Sequence, residues 1–252
     1  MRRLFLCSAE LAESIIRITG NRAHHLVNVL RYEEGADVLI LDGLGGAWRA
    51  KVVRARSQEL QLERLEAVTT TPIPQRVTLY QAIPKGDKMD WVVQKATELG
   101  VHRIVPCISR HGVVKVDLAR SDAKIVRWQK IAEEAAIQCE RDTIPTISPI
   151  LHLTSHALPR TEPNLVLAER RDALSFPLAL GQQPGSHLNI WVGPEGGFSC
   201  SEVDWFVEYG ATLTSLGPRI LRTETASLAA LALCVGHFEL MAASSKETTC
   251  AD

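Results

Sequence analysis

No C-x-x-C pair occurs in the 252 residues, and the six cysteines (Cys7, Cys107, Cys139, Cys200, Cys234, Cys250) follow no rhythm. Disulfide frameworks and zinc sites both need such spacing, so the thiols are expected to be reduced, in a cytoplasmic protein. The histidine groups His24-His25 and His152…His156 lack a third ligand at suitable spacing, so no metal is expected. Two phosphate fingerprints are also missing: G-x-x-x-x-G-K-[ST], and G-x-G-x-x-G opening a helix. Their absence argues against a nucleoside triphosphate and against a dinucleotide oxidoreductase. With no G-x-S-x-G, a serine hydrolase is unsupported. The start, MRRLFLCSAE, lacks an apolar run long enough for a signal peptide. The most apolar segment, residues 226–242, is short for a membrane span and contains His237 and Glu239. Neither secretion nor membrane insertion is expected.

A large excess of one charge sign is absent too, since the formal net charge is -1. The distribution is less even, with +1 over residues 1–75, +4 over 76–141 and -6 over 142–252. The basic excess in the first 141 residues is compatible with a nucleic-acid face there.

What is present divides at a composition change. Residues 1–73 alternate short apolar runs with turn signals, and Asp42-Gly43 reads as a hairpin turn, so a small β-rich module is expected. One helical insertion, AHHLVNVLR, places His25, Leu26, Val29 and Leu30 on one face. The threonines and prolines of TTTPIPQ read as a linker, with a boundary near Pro74. Over residues 74–252 strands alternate with helices, which predicts a mostly parallel α/β sheet. Helices are expected over 87–99, closed by Gly100, over 121–139 with a buried stripe of Ile125, Trp128, Ile131 and Ala135, and over 224–241.

The richest stretch is WVGPEGGFSCSE, residues 191–202. A strand ends at Gly193 and a helix starts after Phe198, where Ser199 and Glu202 form an S-x-x-E capping box. Open α/β sheets bind ligands at that edge, and three glycines exceed what a tight turn needs, so a ligand loop is favoured over a plain turn. Glu195 would repel a phosphate and suits a cationic or hydroxylated ligand, or is a solvated loop acid. A second loop, LGPRILRTETA, repeats the pattern after another strand. There Thr223 reads as an N-cap and Glu224 as a complement to the helix dipole.

GPEGGFS followed by LGPRILRTETA resembles the signature of the RsmE-type 16S ribosomal RNA uridine-N3 methyltransferases, of the knotted SPOUT class. The resemblance extends through HHLVNVLR, LDGLGG, KGDKMDWVVQKATELGV and RWQKIAEEAAIQCERDTIPTI. Ile137 departs from it, standing where the family usually has a glutamate. The resemblance implies an α/β protein: a PUA-like β-barrel over residues 1–73 that helps hold RNA, and a SPOUT α/β-knot methyltransferase domain over 74–252, working as a homodimer. It implies S-adenosylmethionine as cofactor, with three loops around it. Leu167, Ala168 and Glu169 end the first strand; Val192, Gly193, Pro194, Glu195, Gly196 and Gly197 form the second loop; Leu216, Gly217, Ile220, Leu221, Arg222 and Thr223 form the third. The reaction implied is methyl transfer to N3 of a uridine in 16S ribosomal RNA of the small ribosomal subunit. Arg222 would stabilise the anionic base and Glu224 would assist proton removal or serve its helix start. Arg22, Arg31 and Lys88 are the expected RNA contacts. A non-catalytic RNA-binding factor on the same scaffold stays open.

Overall fold

The computed structural model describes residues 1–70, 76–112, 121–153, 159, 162–168, 173–183, 185 and 187–249. The expected boundary at Pro74, His156 and the expected cofactor residue Glu169 lie outside them. Chain contacts define two compact units, Met1–Pro72 with Ala136–Ile144, and Ile73–Ala135 with Pro145–Asp252.

In the first unit, β1 (Arg2–Phe5), β2 (Ile15–Thr19), β3 (Asp37–Leu41), β4 (Ala47–Arg56) and β5 (Glu59–Ala67) form one sheet in the order β1-β3-β4-β5-β2. It is antiparallel except for β1 on β3. The period-two pattern does what it predicts: Ile16 and Ile18 of β2 and Leu60 and Leu62 of β5 turn inward, onto Val38, Ile40 and Val52. Each such side chain contributes about 1.5–3 kcal/mol by leaving water. The Asp42-Gly43 turn joins β3 to β4, with the Asp42 carboxylate accepting the amides of Leu44 at 2.7 Å and Gly46 at 2.8 Å. Residues 136–144 join this unit, which a single boundary does not anticipate; the Arg3 guanidinium bonds Asp142 at 2.8 Å and the Ile144 amide donates to Gly43 O at 3.0 Å.

The helical insertion departs from expectation. Helix α1 (Gly20–His24) runs into a π-turn over His25–Val29, where the Leu30 amide reaches back five residues to His25 O. That wider turn shifts the inward face to Ala23 and Leu26, leaving His25, Val29 (59%) and Leu30 (45%) exposed.

The second unit holds β6 (Arg76–Ala82), α2 (Lys88–Glu98), β7 (Arg103–Ile108), α3 (Ser121–Gln138), β8 (Thr146–Ile147), β9 (Leu151–His152), β10 (Asn164–Leu167), β11 (Leu174–Ser175), α4 (Phe176–Gly181), β12 (His187–Val192), α5 (Cys200–Glu208), β13 (Thr212–Ser215) and α6 (Thr223–Thr249). The eight strands are parallel, in the order β11-β13-β10-β12-β6-β7-β8, with β9 on β7. The apolar runs of the central strands β10 and β12 are buried on both faces, as central parallel strands require. On one face Trp191 stacks on Tyr80 at 3.7 Å between centroids and meets Phe206 edge-on, while its indole donates to Asn164 Oδ1 at 2.9 Å. Of the expected stripe of α3, Trp128 and Ala135 are buried, joined by Ala132, while Ile125 and Ile131 are half-buried. Helix α6 runs beyond the expected end at Met241, since no glycine or proline follows to stop it. By length and composition its residues Thr223–Ala242 would suffice to cross a membrane, with a third of that stretch buried in the protein.

Candidate functional site

Strand β10 lies between β12 and β13, pairing Leu165 with Ile190 on one side and with Thr212 on the other. The chain thus brings three strand ends, far apart in sequence, side by side at the carboxyl edge of the sheet. Ligands of open α/β sheets sit at such edges where strand order reverses. A cavity of about 730 Å³ opens there, of the size that takes a drug-sized ligand.

The cavity gathers most of the residues singled out in the sequence. Leu167 and Ala168 contribute from β10, and Val192, Gly193, Pro194, Glu195, Gly196 and Gly197 from the loop after β12. Ile220, Leu221, Arg222 and Thr223 come from the segment leading into α6. Leu216 and Gly217 do not line it. Three further lining residues went unnoticed: Phe198, Val203 and Ala226. Phe198 directly follows the glycines, and Ala226 is one turn into α6; their small or apolar character near a loop was the available signal.

The glycines have a more local explanation than a ligand's approach. A Cβ on Gly193 would stand 3.2 Å from the Phe198 amide nitrogen and 3.3 Å from Gly197 C, so the loop's own fold-back favours glycine. Gly197 sits at φ +70°, which side chains resist. The ligand argument therefore rests on the cavity and less on the glycine count. The capping box forms as expected: Ser199 Oγ accepts the Glu202 amide at 3.3 Å and Glu202 accepts the Ser199 amide at 2.7 Å. The same buried carboxylate also accepts the Arg110 amide at 2.8 Å, tying the loop after β7 to this one.

Behind the cavity lies a buried polar clamp. The Gln81 amide, fully enclosed at the end of β6, donates to Thr223 Oγ1 at 3.0 Å, and that hydroxyl donates to Gly193 O at 2.6 Å. Ser227 Oγ bonds Gln81 Oε1 and lies 2.9 Å from Thr223 O. Thr223 is therefore not the N-cap of α6. Its hydroxyl is spent on the neighbouring loop, and the first helical hydrogen bond runs from the Ala226 amide to Arg222 O at 2.8 Å. A polar Gln81 inside an apolar strand was the overlooked signal, because buried amides of this kind are found paired.

Charge at the rim is organised by Lys88. Its ammonium lies 3.2 Å from Glu224 Oε1 and 3.6 Å from Glu195 Oε1, and the Lys85 amide donates to Glu195 Oε1 at 3.0 Å. Burial raises the Glu195 carboxyl, but hydrogen bonds from its own amide and that of Lys85, with the Lys88 and Lys85 charges, outweigh this and hold it below the ordinary glutamate range. Arg222 is exposed on the cavity wall. Arg22 and Arg31 are in the first unit: Arg22 pairs with Glu10 at 2.6 Å and donates to Phe5 O, and Arg31 is exposed at φ 53°. Among the described residues no cluster of three His, Cys, Asp or Glu side chains is placed to hold a metal.

Apolar walls from Leu167, Val192, Phe198 and Leu221, with an ionised carboxylate at the rim, suit a ligand with a flat apolar part and a cationic part. S-adenosylmethionine has both, so the residues present fit that group. The parallel sheet with its edge cavity defines an α/β fold with a ligand site at the carboxyl ends of its strands. A family model described as an RNA methyltransferase domain matches residues 71–235, and one described as an RNA methyltransferase PUA domain matches residues 18–63. The ribosomal RNA small subunit methyltransferase E of Bacillus subtilis is 34% identical over 233 residues, 89% of this chain and 91% of that protein. The enzyme of that name from Neisseria gonorrhoeae, solved bound to S-adenosylmethionine, superposes with a TM-score of 0.81 at 34% identity, over 92% of this chain and 96% of that one. A putative methyltransferase from Legionella pneumophila, solved with the same cofactor, gives 0.83 at 29% identity, over 93% and 97%. This chain belongs to the RNA methyltransferase family whose members carry the name ribosomal RNA small subunit methyltransferase E.

Proposed function

We propose that the protein transfers a methyl group from S-adenosylmethionine to N3 of a uridine in 16S ribosomal RNA of the small ribosomal subunit. The observation that carries the reading is the edge cavity ringed by three strand-end loops, in a chain that matches cofactor-bound relatives over nearly its whole length. Bound there, the cofactor supplies an electrophilic methyl group on a sulfonium. The backbone and apolar side chains of residues 167–168, 192–197 and 220–223 hold and orient it, and the reading also assigns Glu169, Leu216 and Gly217 to the cofactor. The clamp of Gln81 and Thr223 keeps two of those walls in register before any ligand arrives.

The uracil N–H must be lost for nitrogen to attack, and negative charge then builds on the flanking carbonyl oxygens. Arg222, on the cavity wall, answers that charge with a guanidinium. Glu224, two residues on, is the carboxylate offered as acceptor of the N3 proton. The N-terminal β module, proposed as residues 1–73 beside a catalytic domain over 74–252, holds RNA through Arg22 and Arg31, with Lys88 the catalytic domain's proposed contribution. Exposed apolar side chains on α4 and α6, Leu178, Leu233 and Leu240, support a homodimer. The reading includes a knotted chain and a cytoplasmic setting.

Calorimetry with S-adenosylmethionine against NAD, then mass spectrometry of 16S ribosomal RNA or small subunits incubated with protein and cofactor, tests the reading. The expected outcome is cofactor binding and one added methyl mass on a uridine. Binding without a transferred methyl group would instead favour a non-catalytic RNA-binding factor.

A further inference from the structure

We propose that Lys88 is a positioning residue for methyl transfer: its ammonium holds Glu195 of the cavity wall and Glu224 at the head of α6 in one arrangement. The inference rests on the methyl-transfer reading above and replaces an RNA contact for Lys88 with a different duty.

Lys88 is the first residue of α2, where the helix dipole disfavours a cation. Sequences break a local rule of this kind where another demand overrides it, and here the demand is visible. The ammonium lies 3.2 and 3.3 Å from the two oxygens of Glu224 and 3.6 Å from Glu195 Oε1. Glu224 is the more enclosed carboxylate, its side chain 13% exposed against 30% for Glu195. Without the ammonium, two carboxylates near the same point would repel, and Glu224 would swing away from its place two residues after Arg222. One side chain thus links the loop after β6, the glycine loop after β12 and the start of α6.

The buried bonds of Gln81, Thr223 and Ser227 independently join the end of β6 to the same glycine loop and the start of α6. They hold the backbone, so loss of the Lys88 charge disturbs side-chain orientation while the fold remains. An ammonium already matched by two carboxylates has little charge left for a phosphate.

The test is steady-state methyl transfer to the RNA substrate by wild type, K88A, K88M and K88R, with S-adenosylmethionine affinity measured by calorimetry. Wild-type turnover in the same assay separates failure of the methyl-transfer reading from failure of this one. K88A and K88M should lose about ten- to a hundredfold in kcat, the scale of a small misplacement at a reacting centre. RNA KM should stay within about threefold, cofactor affinity should fall no further than in E195Q, and K88R should recover part of the loss. Unchanged kcat overturns the proposal. So does a raised RNA KM with kcat kept and a salt dependence shallower by about one, the signature of a phosphate contact. Should K88A not fold, K88M combined with E195Q decides: a double variant no worse than its poorer single supports a shared tether, and additive losses overturn it.

Discussion

Two glycine- and proline-bearing loops border the same cavity, yet they are held very differently. Gly193 and Pro194 are buried, the Gly193 carbonyl accepts the Thr223 hydroxyl, and Glu195 accepts the Lys85 amide. Residues 217–220 are exposed, Ile220 at 63%, and the Ser215 hydroxyl bonds Gly217 within the loop itself. The first loop is therefore fastened along its buried start and the second only at its far end, through Thr223, leaving Ile220 and Arg222 exposed. The difference separates the part of the site that fixes shape from the part free to meet a substrate.

Five substitutions sharpen or break that contrast, beginning with the largest effect. Arg222→Ala on the open side should cost about a hundredfold or more in turnover, with cofactor affinity within a few-fold and unfolding free energy shifted by less than about 0.5 kcal/mol. Kinetics beside denaturant melts read both numbers, and intact turnover would remove Arg222 from the chemistry. Thr223→Ala, at the bond that fastens the two loops, should behave oppositely, losing about 1–3 kcal/mol of stability because it strands the Gly193 carbonyl and one N–H of the Gln81 amide, whose nitrogen keeps only Ala82 O at 2.9 Å. A loss no larger than a surface change would mean the clamp is not what holds the wall.

The glycines make a finer test. Gly193→Ala pushes a Cβ to 3.2 Å from backbone and should destabilise by about 1–3 kcal/mol. Gly217→Ala meets nothing within 4 Å but sits at φ +114°, so it should cost about 1 kcal/mol through backbone strain alone. Thermal melts that rank them the other way would reverse the assignment of preformed and open walls.

The smallest effect is one of pH. Because Glu195 is held below the ordinary glutamate value of about 4.3, its contribution to stability is fully present above that pH. It is lost as pH falls through the lower, folded value. Glu195→Gln should flatten that acid limb of a stability profile slightly, since the side chain is 30% exposed and partly screened. An identical acid limb in wild type and variant would show that the carboxylate is not fastened as described.

Much of this was readable in the chain. The hairpin at Asp42-Gly43, the capping box of Ser199 and Glu202 and the stripe through Trp128 depend on neighbours a few residues apart, and all three form. The π-turn at His25–Val29 was not readable, because one extra residue per turn leaves no compositional mark while it moves Val29 and Leu30 to the outside. Lys88 was visible only as a basic residue; its two carboxylates come from positions 195 and 224, which no local pattern connects to it.

By itself the sequence determined the strands, helices, caps and glycine-bearing loops, because periodicity and capping are settled by hydrogen bonds and burial within a turn or two of chain. Tertiary structure alone decided that β10 stands between β12 and β13, that Thr223 serves the loop of Gly193 rather than its own helix, and that residues 136–144 join the first unit. Those outcomes pair groups 25 to 142 residues apart, from Leu165 with Ile190 to Thr223 with Gln81, and such pairs exist only once the sheet order has brought them within hydrogen-bonding distance.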